Sequence, residues 1–116
     1  MLARQLRLVK EKDFKKIFKQ GKSFYTKIFQ IKVLTNELEI NRYGIVISTK
    51  VSKKSVERNK LKRQFRAAIN EFDKKLVSGF DLVIIGFPAA LSQEYKFIKN
   101  ELEKSLFILK LFKPYK

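Results

Sequence analysis

Apolar and polar positions along this chain follow two periods, and each stretch of one period predicts an element. Phe14, Ile17 and Phe18 recur at helical spacing and predict a first helix from about Glu11 or Asp13 to Gln20. Acidic Glu11 and Asp13 open it, Lys15, Lys16 and Lys19 lie towards its end, and Gly21 follows as a stop. From Ser23 to Thr35 the period falls to two, with Phe29, Ile31 and Val33 alternating with Gln30 and Lys32, which predicts a strand. A second strand runs from about Arg42 to Thr49 beyond a polar connection at 36–41, and the two are expected to pair as an antiparallel hairpin. Helical spacing then returns. Leu61, Phe65, Ala68, Ile69 and Phe72 form one stripe of a helix expected from about Ser55 to Lys75. After Ser78-Gly79, the nearly all-apolar Phe80–Gly86 reads as a strand that is central or well covered. Ser92 is the expected N-cap of a last helix that carries Tyr95, Ile98, Leu102, Leu106 and Leu109 on one side.

The predicted order is therefore α-β-β-α-β-α, with helices packed on a single sheet as an α+β sandwich. A basic arm at 1–10 (Arg4, Arg7, Lys10) and a basic tail at 110–116 flank one expected domain spanning 1–116. Neither an internal repeat nor a linker interrupts it.

Charge changes the picture more than composition does. The 116 residues include 27 Lys and Arg against 11 Asp and Glu, a net charge of +16. Folding such a chain incurs self-repulsion that a bound polyanion relieves. The cations concentrate where the helical stripe begins. Between Lys50 and Arg66, Lys50, Lys53, Lys54, Arg58, Lys60, Lys62, Arg63 and Arg66 face a single acid, Glu57. Arg58, Lys62 and Arg66 form a row at four-residue spacing beside Asn59 and Arg63, so the helix presents a fixed cationic array outside its apolar stripe. Guanidinium groups grip phosphates bidentately, which favours nucleic acid over an anionic membrane.

Chemistry by the protein alone has little support in these residues. Cysteine and histidine are absent, which removes disulfides, thiolate chemistry, zinc-finger frameworks and the commonest general base. There is no GxxxxGK[ST] loop, and Asp13, Asp73 and Asp81 stand apart in sequence. No apolar run approaches the ~20 residues of a membrane span. Neither a small-molecule cofactor nor a membrane partner is expected, and a cytoplasmic protein is the default reading. The 11 Phe are a second signal. Phe14 and Phe18, four residues apart beside Lys15 and Lys19, either pack in the core or stack on unpaired bases, and Phe29 poses the same choice.

The run Glu57-Arg-Asn-Lys-Leu-Lys-Arg-Gln-Phe-Arg66 resembles the RNR signature of the bacterial ribonuclease P protein subunit. Arg58, Asn59, Leu61, Lys62, Arg63 and Arg66 match that signature, while Lys60 replaces its middle arginine and loses the bidentate fork. The similarity extends along the chain. It takes in Val9-Lys10, Asp13-Phe14, Ile17-Phe18 and Gly21, then Gly44 to Lys50 with Thr49 in place of a usual lysine, then Asp81 to Ile85 and Pro88 to Ser92.

This resemblance implies an α-β sandwich with a left-handed parallel βαβ crossover, against the usual preference. It implies that Lys53, Lys54, Arg58, Asn59, Lys60, Lys62, Arg63 and Arg66 bind the catalytic RNA subunit. It also implies a cleft for the 5′ leader of precursor tRNA, lined by Phe14, Phe18, Phe29, Lys32, Ser48 and Lys50, with Lys32 meeting phosphate where an aromatic is common. The implied partners are ribonuclease P RNA and precursor tRNA. The implied activity is endonucleolytic removal of the leader to give the mature tRNA 5′ end, with the active site and its Mg2+ held by the RNA. The alternative is a non-catalytic ribosomal or chaperone-type RNA-binding protein, which shares the charge and size; the 58–66 signature favours ribonuclease P.

Overall fold

The computed structural model describes residues 7, 8 and 10–114. Most of the expected basic arm, Arg4 included, and the last two residues of the tail lie outside the described residues. Three helices surround one four-stranded sheet in the order α1 (Glu11–Gln20), β1 (Lys22–Tyr25), β2 (Phe29–Thr35), β3 (Arg42–Val46), α2 (Ser55–Phe72), β4 (Phe80–Gly86) and α3 (Tyr95–Ile108). Short 3-10 turns extend α2 over Asp73–Lys75 and precede α3 at Pro88–Ser92.

Across the sheet the strands run β1-β2-β4-β3. This order corrects two expectations. The stretch from Ser23 to Thr35 is a hairpin of two strands instead of one strand, because Thr26 closes a turn. Its hydroxyl accepts from the amides of Ile28 and Phe29 and donates to the Phe29 carbonyl. Secondly, β2 and β3 do not pair. The chain between them opens a gap that β4 fills, antiparallel to β2 and parallel to β3. Buried Asn41 seals this junction, donating to the Val77 carbonyl at 2.7 Å and accepting from the Phe80 amide at 3.0 Å. A strand as apolar as β4 gains most by having both edges paired and both faces covered.

Each face of the sheet has its own core. Leu82 and Ile84 of β4 meet Ile31, Leu61, Phe65, Ile69, Ile98 and Leu102 beneath α2 and α3. Val83 faces the other way, onto Leu8 and Ile17, with Phe14, Leu34, Val46 and Ile85 around them. The predicted stripe of α2 is buried throughout, whereas α1 buries only Ile17. In α3, Ser92 does not serve as the N-cap: Glu94 holds that position without a side-chain cap, and the Ser92 hydroxyl donates to the Ala89 carbonyl. Gly21 does end α1, but by close approach. Its backbone is extended, and a Cβ there would lie 2.5 Å from the Ile17 carbonyl oxygen.

Candidate RNA-binding site

The array on α2 begins in the loop that enters the helix. Ser52 accepts from the Lys54 amide and donates to Glu57 at 2.5 Å, while Arg58 donates to the Ser52 carbonyl at 2.8 Å. The one acid of the run is therefore held by a serine. Among the described residues, no cation from Lys53 to Arg66 is in an ion pair. Lys53, Lys54, Asn59, Lys60 and Arg63 are exposed, and Arg58, Lys62 and Arg66 are half-buried along the helix flank. Further on the character of the helix changes: Glu71 accepts from Tyr95 and Lys99 of α3. The Tyr95 hydrogen bond, then that of Lys99, holds the Glu71 carboxyl below its ordinary value.

On the opposite face, α1 lies across the sheet and leaves a cleft. Beneath α1 pack the residues of β2, β3 and β4 that point away from α2: Leu34, Gly44, Val46, Val83 and Ile85. A Cβ on Gly44 would lie 2.7 Å from the Phe14 ring, so glycine at this point of β3 admits the ring. Phe14 is half-buried there, and Phe18, 40% exposed, stacks beside it with ring centroids 6.4 Å apart.

Charged contacts hold α1 at both ends. Arg42 reaches Asp13 at 3.3 Å and grips Asp81 through two hydrogen bonds of 2.8 and 2.7 Å. The hydrogen bond that Arg42 donates to Asp81 raises the Arg42 pKa, against the opposing effect of burial. At the other end the Lys32 ammonium donates to the Phe18 carbonyl at 3.0 Å.

The structure brings together only part of the cleft that the resemblance implies. Phe14, Phe18 and Lys32 are brought together on this face of the sheet. Phe29 is not: it is 0% exposed on the α2 face, edge-on to Phe65 with centroids 5.8 Å apart. It is a core residue. Ser48 and Lys50 are exposed in the turn leaving β3, where the Lys50 amide donates to the Ser48 hydroxyl. Arg7 was not among the expected site residues. Arg7 and Leu8 run beside β3, with the Leu8 amide donating to the Tyr43 carbonyl at 2.7 Å. A cavity of about 220 Å³ follows, lined by Arg7 and Arg66 together with Phe14 and Gly44. Arg66 thus joins the array to the edge of the cleft. The basic arm was the only signal for Arg7, and which strand the arm borders is not a local property.

The family model for ribonuclease P matches residues 2–110. This chain belongs to the ribonuclease P protein family. It is 40% identical over 104 residues to the ribonuclease P protein component of Synechocystis, covering 89% of this chain and 84% of that one. The component from Clostridium botulinum strain 657 is 37% identical, with coverage of 80% and 84%. Among solved structures, a Staphylococcus aureus RNase P protein mutant with defective mRNA degradation activity superposes with a TM-score of 0.87 at 31% identity, covering 94% of this chain and 92% of that one. The RNase P protein of Thermotoga maritima gives 0.77 at 30% identity, covering 84% and 92%. Membership makes the chain a component of an endoribonuclease of tRNA processing and associates it with ribonuclease P RNA. No described helix is long and apolar enough to cross a membrane.

Proposed function

We propose that α2 and its entry loop bind the RNA subunit of ribonuclease P, and that the cleft under α1 receives the 5′ leader of precursor tRNA. The observation that carries this reading is the pair of surfaces itself. An array of cations without ion-pair partners among the described residues occupies one helix, a half-open aromatic pair lies across the sheet, and Arg66 lines a cavity with Phe14 of that pair. Lys53, Lys54, Lys60, Lys62 and Arg63 would neutralise phosphates of the RNA subunit, releasing counterions and reducing repulsion between two RNAs. Phe18, with its ring exposed, would stack on a leader base, and stacking tolerates any sequence because every base has a π-face.

Hydrolysis in this reading takes place on the RNA, which holds the Mg2+ that supplies a metal-activated nucleophile. The carboxylates of this chain fit a structural role better than a metal centre. Asp13 and Asp81 converge, but on the Arg42 guanidinium, and Asp73 accepts from Tyr43.

The test is cleavage of a leader-bearing precursor tRNA by a bacterial ribonuclease P RNA at low Mg2+, with this protein, without it, and with the protein alone. Cleavage only when protein and RNA are both present is the expected result. Cleavage by the protein alone would move the chemistry off the RNA. Salt-sensitive RNA binding without stimulation would point instead to a ribosomal or chaperone-type RNA-binding role.

A further inference from the structure

We infer that Lys32, together with Asp13 and Arg42, positions the cleft: these residues act as two charged struts that rise from the sheet and set the height and register of α1. This rests on the leader reading proposed above and gives Lys32 a role other than phosphate contact. Apart from Ile17 and Phe14 against Gly44, helix α1 has little apolar packing to hold it. Only Ile17 among its residues is buried, and Lys10 at its start provides no side-chain cap.

The sheet supplies what the core does not. At the first strut, Arg42 is itself fixed by Asp81, whose side chain is 7% exposed and also accepts from Asn36 at 2.9 Å. The Arg42 guanidinium then reaches up to Asp13, the residue before Phe14. At the second strut, the Lys32 ammonium meets the carbonyl of Phe18 itself, near the end of α1, where the helix dipole concentrates partial negative charge. Each strut therefore ends on the backbone of one member of the aromatic pair or on the residue before it, and a shift at either end moves that ring.

A strut and a phosphate contact differ in what their removal changes. Losing a phosphate contact lowers the slope of log affinity against log salt by about one. Losing a strut leaves that slope alone and loosens α1 even when no RNA is present. The experiment compares wild type with Lys32→Met, Lys32→Arg and Asp13→Asn, the last of which keeps the Arg42–Asp81 pair.

Two quantities are measured: the affinity ratio of leader-bearing to mature tRNA in the assembled protein–RNA complex across a salt series, and amide exchange in α1 of the RNA-free protein. Lys32→Met is expected to lower the ratio about three- to tenfold and to raise exchange near Phe18 by a similar factor, at unchanged salt slope. Lys32→Arg is expected to restore both, and Asp13→Asn to loosen the first turn while lowering the ratio. A slope lower by about one, with exchange unchanged, would make Lys32 a phosphate contact and overturn the inference. A ratio and an exchange rate that both ignore Lys32→Met would also overturn it. A wild-type complex indifferent to the leader would sink the leader reading, whereas the exchange measurement judges the struts without any RNA.

Discussion

Helices α1 and α2 cover opposite faces of one sheet, and they combine packing with function in different ways. In α2 the two are separated around the helix: Leu61, Phe65, Ala68, Ile69 and Phe72 are buried, and the cations are turned outwards or along the flank. In α1 they overlap. Phe14 lies on Gly44 and also borders the cleft, and Ile17 alone is buried. A helix anchored by five apolar residues can change its outer face freely. One anchored by Ile17, by Phe14 on Gly44 and by two charged contacts has less freedom, because Phe14 packs and borders the cleft at once.

The largest effect expected from this contrast is on stability. Phe65→Ala should cost about 3–5 kcal/mol, because the ring is fully buried against Phe29 and leaves a cavity. Phe18→Ala should cost under about 1 kcal/mol, the ring being substantially exposed. Urea unfolding of both variants checks this, and equal losses would mean that α1 belongs to the core as fully as α2 does.

Next in size is the array. Arg58→Ala with Arg63→Ala should weaken binding to the RNA subunit by roughly tenfold per residue, with a shallower salt dependence. Lys110→Ala with Lys113→Ala, at the end of α3 and beyond, should change it less than about twofold. Filter binding across a salt series separates the pairs, and similar losses would reduce the array to net charge. The smaller effect is steric: Gly44→Ala should displace Phe14 and lower the preference for leader-bearing tRNA several-fold, while RNA-subunit affinity holds. Competition binding with mature tRNA reads this directly.

What could be read from the sequence follows the same division between local and non-local causes. The limits of α2 and its buried stripe are local, set by a repeating period and a dense run of cations, and the structure reproduces them. The hairpin at Thr26 carries no glycine, proline or asparagine to mark it, because a threonine side chain closes the turn. The insertion of β4 between β2 and β3 is a tertiary event with no local signature. Phe29 shows how far a resemblance can be carried. It stands three residues from Lys32 in one strand, so a period of two places them on opposite faces, and both cannot line one cleft. Alternation could have excluded one of the two from a shared cleft, although it could not say which face of a two-sided sheet carries the site. The contacts of Arg42 with Asp13 and Asp81 join residues 29 and 39 positions apart, which no spacing reveals.

In the function proposed above the two faces have separate tasks, the array for the RNA subunit and the cleft for the leader. The most direct test measures two quantities side by side, RNA-subunit affinity and the ratio of leader-bearing to mature tRNA binding, for Arg58→Ala with Arg63→Ala and for Phe18→Ala. A crossing is expected: the arginine pair lowers the first and leaves the second within about twofold, while Phe18→Ala lowers the second by roughly 1–3 kcal/mol and spares the first. Both variants lowering both quantities in proportion would contradict it and make the protein a single undivided RNA-binding surface.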